Sequence, residues 1–317
     1  MRNRSAAVVA ALLFGLTPLV ASGQGAPPAL TPVTVASIGS TDMTPFYYAI
    51  QQGLFQKAGL DVTVTQAPTG AASTTAVVGG AAQIGFSNLL ALSIAHQRGI
   101  AVEMLAPGVE YDTNAPNVGI LVANDSPIKT PKDLEGRIVG VTGLHDLLAV
   151  ATIAWIQRGG ADSSKVKFIE LPPSVMPEAL KAGRVDAVAI YEPFVGSVVA
   201  SGARIIGKPY DAIGPRFVNA AWFALEPWVN THRILAVRFA RVIHDAAEYT
   251  NNHYDELIPL VSSFSKLSPE TLQKMVHARV STSLSPELVQ PVIDLAARFH
   301  EIPAPFRAQD MLVPGIP

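Results

Sequence analysis

The chain has 317 residues, 49% hydrophobic and 15% charged, with a formal net charge of −2. That length supports a sizeable core divided over more than one unit. The near-neutral balance, with no basic run or stripe, excludes a nucleic-acid partner, and the absence of cysteine excludes disulfides, leaving the core alone to hold the fold.

At the N-terminus, Arg2 and Arg4 precede the apolar stretch "AAVVAALLFGLTPLV" and the small-residue exit "ASGQGA". That order is the pattern of a secretory signal peptide. The run is about 15 residues and is broken by Gly15 and Pro18, too short for a spanning helix, which takes about 20. Residues 1–23 are therefore read as the signal peptide, with cleavage after Gly23 and with Gly25 and Ala26 as alternatives. A soluble periplasmic protein is expected.

From residue 31 onward, β-like runs alternate with helix-like stretches. "VTVASI" (33–38) predicts a strand, followed by a helix with Thr44 as N-cap and Pro45 at its first position. "DVTVTQ" (61–66) predicts the next strand, Gly70 opens a helix to Val78, "QIGFS" (83–87) follows, then a helix from Asn88 to Gln97 and a strand at 101–107. A second series begins with "NVGILVAN" (117–124) and continues through strands at 137–142, 165–171 and 185–191, each followed by a helix. After "NAAWFAL" (219–225), only helices are expected from Thr231 to His300, with starts at Ser268-Pro269 and Ser285-Pro286.

Alternation of this kind predicts α/β lobes, each a mainly parallel sheet flanked by helices. Lobe 1 is assigned to 30–108 and 222–317 and lobe 2 to 109–221. Segments 117–124 and 219–225 are the expected crossings between them, and the C-terminal helices return to lobe 1.

In open α/β sheets, ligands sit beyond the carboxyl ends of the strands, near helix N-termini. The loops there carry Ser40, Thr41 and Asp42; Gly70 and Ala71; Ser87 and Asn88; Thr142, Gly143, His145 and Asp146; Ser174; and Glu192. Taken singly, each Ser or Thr caps its own helix. Together, such loops on two lobes point instead to a shared cleft, where helix N-termini offer unpaired N–H donors and partial positive charge. Phe46 and Trp222, with Met43, Met176 and Phe194, suggest an apolar component. The sequence contains no GxSxG, GxxxxGK[ST], HExxH or GxGxxG motif and no metal-ligand spacing, so catalytic, cofactor and metal residues are all read as none.

"TPFYYAIQQGLFQKAGLDVTV", "GGAAQIGFSNLLALSIAHQRG", "SPIKTPKDLEGRIVGVTG" and "ALKAGRVDAVAIYEPFVGSVVASG" resemble segments of the periplasmic substrate-binding proteins of the nitrate, sulfonate and taurine class of ABC importers, a group that includes thiamine-pyrimidine-binding relatives. The resemblance runs from about residue 32 to 260. It implies a two-lobe type II periplasmic binding protein fold, a small-molecule ligand in the interlobe cleft, hinge closure and delivery by a monomer to a membrane permease. By position, Ser40, Thr41, Gly70, Ala71, Ser87, Asn88, Thr142, Gly143, Ser174 and Glu192 are carried over as ligand-binding candidates. One departure stands out: the cleft loops hold no Arg or Lys, so Asp42, Asp146 and Glu192 would suit an amine or ring N–H donor. The alternatives are an aminopyrimidine or aromatic-acid binder and, from another class, an enzyme or a sensor partner on the same fold.

Overall fold

A computed structural model describes residues 30–316; the signal peptide expected at 1–23 and its expected cleavage site lie outside the described residues. In chain order the strands are β1 (Thr31–Ser37), β2 (Leu60–Gln66), β3 (Ile84–Asn88), β4 (Val102–Pro107), β5 (Val109–Asp112), β6 (Val118–Ala123), β7 (Ile138–Val141), β8 (Lys167–Glu170), β9 (Ala187–Tyr191), β10 (Ala203–Gly207), β11 (Arg216–Val218), β12 (Ala220–Leu225) and β13 (Arg279–Val280). They form two five-stranded sheets, ordered β2-β1-β3-β12-β4 and β10-β6-β9-β7-β8, and a three-stranded sheet, β11-β5-β13.

The two large sheets share one plan. In the first, β1, β2, β3 and β4 run one way and β12 lies antiparallel between β3 and β4. In the second, β7, β8, β9 and β10 run one way and β6 lies antiparallel between β9 and β10. Each large sheet is thus mainly parallel, with one reversed strand inside it.

That insertion corrects one expectation. Segments 117–124 and 219–225 are not the crossings: β6 and β12 are interior strands of the two sheets. The crossing falls to β5 and β11, short strands that pair antiparallel from Asp112↔Arg216 to Glu110↔Val218. A further antiparallel strand, β13, joins them at Glu110↔Arg279, so the C-terminal part is not helical throughout. Pairs this short carry no long period-two run, and for that reason they escape pattern reading.

Apolar burial follows the sheets. Val33, Val35, Leu105 and Trp222 meet Phe46, Ala49 and Phe55 together with Phe239 and Ile243 of the helix Arg233–Asn252, covering one face of the first sheet. Leu121, Val188 and Ile190 meet Met176, Ala179 and Val198 on one face of the second. The remaining faces share a single cluster, joined through the helices Leu89–Gln97, Leu147–Arg158 and Pro286–Arg298. The helix Pro286–Arg298 packs on Leu89–Gln97 of the first lobe and also reaches β11 and the helix Leu147–Arg158.

Candidate ligand site

A cavity of about 240 Å³ lies where the two large sheets face each other. The first sheet contributes Ser40 and Asp42 after β1, Gly70 after β2, and Phe86, Ser87 and Asn88 at the end of β3. The second contributes Thr142, Asp146 and Leu147 after β7, and Tyr191 and Glu192 at the end of β9. Six of the carried-over candidates therefore converge, Ser40, Gly70, Ser87, Asn88, Thr142 and Glu192, together with the loop acid Asp42.

The others lie elsewhere. Phe46 and Trp222 are buried in the core beneath the site, with ring centroids 4.8 Å apart. Met43 and Met176 are likewise core. Thr41 lines a separate recess of about 70 Å³ beside Tyr254 and His277. Ala71, Gly143 and His145 line an open groove that shares Asn88 and Asp146 with the cavity, and the His145 ring, 81% exposed, lies 3.2 Å from Glu301. Ser174 is exposed outside the cavity, because the helix it precedes, Met176–Lys181, packs Met176 and Ala179 onto the outward face of its sheet.

Local chemistry explains each polar group. Asn88 caps the helix Leu89–Gln97 by accepting from Ala91 N at 2.8 Å, and Asp146 caps Leu147–Arg158 by accepting from Ala149 N at 2.7 Å. Thr142 Oγ1 donates to the second oxygen of Asp146. Thr44 is not the cap expected of it. Its hydroxyl donates to Thr41 O, while Ser40 Oγ accepts from Asp42 N at 3.2 Å and starts a 3₁₀ turn, Thr41–Met43, ahead of the helix. Glu192 accepts from Gly196 N at 3.1 Å and from Val276 N at 3.3 Å.

Ser87 is different. It is 1% exposed, and its Oγ has no partner. Asn117 Oδ1, also on the wall, is buried and unpaired as well. Buried polar atoms are nearly always satisfied in a folded chain, so such groups on a cavity wall await a partner.

Asn117, Asn219 and Tyr210 line the cavity but were not among the candidates. The two asparagines immediately precede the reversed strands β6 and β12. Because those strands run opposite to their neighbours, their beginnings arrive beside the others' ends. The pairing is matched in the two lobes: Asn219 O accepts from Leu89 N at 2.9 Å, and Asn117 O accepts from Glu192 N at 2.8 Å. An Asn directly before each of "VGILVA" and "AAWFAL" was a visible signal, legible only once those strands are known to be reversed. Tyr210 sits on a 3₁₀ turn, Pro209–Ala212, and no periodicity marks it.

The electrostatics are one-sided. Burial pushes the Asp42 carboxyl up to about 6, with Ser40 pulling the other way. Burial also raises Asp146, against hydrogen bonds from Thr142, Ala149 and Leu148, and raises Glu192. Tyr191 and Tyr210 are both raised, first by burial and then by the Asp42 and Asp146 carboxylates, which line the same cavity. No Lys, Arg or His lines the cavity, and among the described residues Asp42 and Asp146 make no ion pair; the basic group near Glu192 is His277, outside the lining.

Residues 40–257 match the NMT1/THI5-like family model. The chain belongs to that family. It is 24% identical over 170 residues to an Escherichia coli (strain K12) protein and 26% identical over 161 residues to one from Bacillus subtilis (strain 168), each named provisionally as an aliphatic sulfonates-binding protein. These alignments cover 53% and 50% of this chain, and the chain spans about half the length of those relatives, 51% and 47%. In three dimensions it is similar to the periplasmic aliphatic sulphonate binding protein SsuA from Escherichia coli, with a TM-score of 0.74 at 18% identity, covering 90% of this chain and 98% of that one. A second neighbour is the desulfurization enzyme DSZB, with a TM-score of 0.70 at 15% identity over 90% and 97% of the two chains. These likenesses establish the α/β periplasmic binding protein fold, which hosts both binders and an enzyme.

Proposed function

We propose that the chain is the extracytoplasmic solute-binding component of an ABC importer, which closes two lobes on a small organic solute and hands it to a membrane permease. The observation that carries this reading is the cavity itself, walled by strand ends of both sheets and holding buried, unpartnered Ser87 and Asn117 atoms. The relatives named for sulfonates lend it the substrate class of small organic sulfonates and similar solutes. Its volume lies below the roughly 300–1,000 Å³ usual for ligand pockets, in keeping with a small solute.

In this reading lobe 1 is 30–108 with 222–317 and lobe 2 is 109–221. Closure then pivots on the paired β5 and β11, and the solute shifts the population toward the closed form. Among the described residues no helix is long and apolar enough to cross a membrane; in this reading the chain is a periplasmic monomer exported by the leader expected at 1–23. No catalysis is assigned. The DSZB likeness keeps an enzyme as the second reading, in which the acids of the cavity would act on a bound solute.

The test is small-angle scattering with tryptophan emission on residues 24–317 while taurine, alkanesulfonates and small amines are titrated. A bound solute at 100 times its Kd adds about 2.7 kcal/mol of stability, so thermal shift identifies binders first. A smaller radius of gyration on binding supports the reading. A binder that leaves scattering and emission unchanged, or that is chemically converted, refutes it.

A further inference from the structure

We propose that the solute is recognised through a protonated amine or amidine group, seated between Asp42 of one lobe and Asp146 of the other. This rests on the solute-binding reading and narrows it.

Three observations carry the inference. First, the cavity wall holds the carboxylates of Asp42, Asp146 and Glu192, contributed by both lobes, and no basic side chain. Second, among the described residues Asp42 and Asp146 make no ion pair, although Asp146 accepts hydrogen bonds; Glu192 is held by Gly196 N and Val276 N, with His277 near it. Third, Asn117 Oδ1 stands on the same wall with no hydrogen bond made and offers a lone pair to a donor, while Ser87 Oγ, at 1% exposure and likewise unpartnered, can donate or accept. Tyr191 and Tyr210 line the same cavity, aromatic rings of the kind that attract cations.

The opposing consideration is the helix N-termini, which favour anions. Two helices of sufficient length, Gly70–Val78 and Leu89–Gln97, start at the wall, each worth roughly half a positive charge. The third, Leu147–Arg158, is already neutralised by its own cap, Asp146. With Asp146 set against the third helix, Asp42 and Glu192 still outweigh about one positive charge, and the balance of the chamber is negative. A bare sulfonate or nitrate would meet that charge as the lobes closed and water left, where like charges repel most. A cation would neutralise it, and any acceptor group on the same solute has the Gly70 and Ser87 end to face. This chain thus departs from the anions for which its relatives are named.

Matched probes separate the two chemistries. Titration calorimetry with taurine against ethanesulfonate, butylamine against butanesulfonate, and benzamidine against benzoate varies the cationic group on a near-constant body. At pH 7.5 the cationic member of at least one pair should bind 10-fold or more tightly than its partner. That preference should vanish in Asp42→Asn and Asp146→Asn, since Asn keeps the side-chain volume and, at position 146, the helix cap. Melting curves of both variants confirm that they fold.

The pH dependence has a sign. Asp42 has Ser40 on its own loop, and Tyr191, Tyr210 and Asp146 of the other lobe line the same cavity. A cation therefore gains affinity as pH rises from 5 to 7.5 and the acid ionises, whereas an anion loses it. Tighter binding of the amine-free member, or amine binding indifferent to both variants, overturns the inference and leaves solute capture standing. If no cationic probe binds at 10 mM the inference fails; if neither set binds and scattering stays unchanged, the solute-binding reading fails with it.

Discussion

Ser73 offers a sharp test of how the first lobe aims its loops. It lies on the helix Gly70–Val78, fully buried, with its hydroxyl donating to Ala36 O in β1 at 3.0 Å and accepting from Phe86 N in β3 at 3.0 Å. β1 and β3 pair directly only at Val35↔Ile84 and Ala36↔Gly85, so this one hydroxyl bridges the strands where they part. Ser73→Ala strands a buried carbonyl and a buried N–H. At about 1–3 kcal/mol for each unsatisfied group, less what relaxation recovers, the loss comes to roughly 2–4 kcal/mol. For a chain of this size that lowers the melting temperature by roughly 5–12 °C.

Ser93→Ala is the control, because the residue type and burial are the same. Its hydroxyl donates to Leu89 O at 2.7 Å, a carbonyl that the helix already satisfies, so its removal should cost under about 1 kcal/mol. Calorimetry or urea unfolding of the two variants decides the matter. Equal losses would refute the bridging role. Since Ser87 and Asn88 directly follow Phe86, Ser73→Ala should also weaken solute binding, and Ser93→Ala should do so less.

Other outcomes follow from the same geometry. The Asp42 carboxyl moves from 3.8 to about 6 on folding, so its contribution to stability is fully present below pH 4 and is lost as pH rises through 6. Asp42→Asn should therefore match the parent at pH 4 and exceed it by roughly 1–3 kcal/mol at pH 8, discounted for partial exposure, by urea unfolding across pH. In the crossing sheet, Glu110, 7% exposed, accepts from Arg216 at 2.5 and 3.1 Å and from Ser281 Oγ at 2.7 Å, tying β5 and β11 to the segment after β13. Arg216→Ala leaves that acid with only the serine, and should cost about 1–3 kcal/mol by the same assay. Because one apolar cluster spans both lobes through Pro286–Arg298, heating should give a single transition, and Ile293→Ala, at a site with no exposure, should lower it by about 2–5 kcal/mol without splitting it. Two separated calorimetric peaks in the parent chain would refute the shared core.

Much of the site was legible in the loops. "GSTD", "PTGAAS", "FSN", "TGLHD" and "YEP" follow strands and open helices, and that position sends them to one edge of a sheet. The failures have specific causes. Phe46 and Trp222 carry no sign of which way their rings turn, and they went to the core. Ser174 follows a strand as the others do, but the helix after it leaves on the outward face. The crossing strands β5 and β11 are four and three residues long, too short for a period to show.

The sequence by itself determined the α/β alternation, the family segments, the absence of cysteine and the excess of acid over base in the cleft loops, because these reside in local pattern and composition. Tertiary structure alone decided that β6 and β12 are reversed, since an interior antiparallel strand and an interior parallel one bury the same apolar run. That reversal brings Asn117 and Asn219 to the cavity. Tertiary structure also decided that Asp42 and Asp146, 104 positions apart in the chain, act on the same two tyrosines. Charge in a sequence is a sum, whereas recognition depends on which charges the fold places together and shields from water.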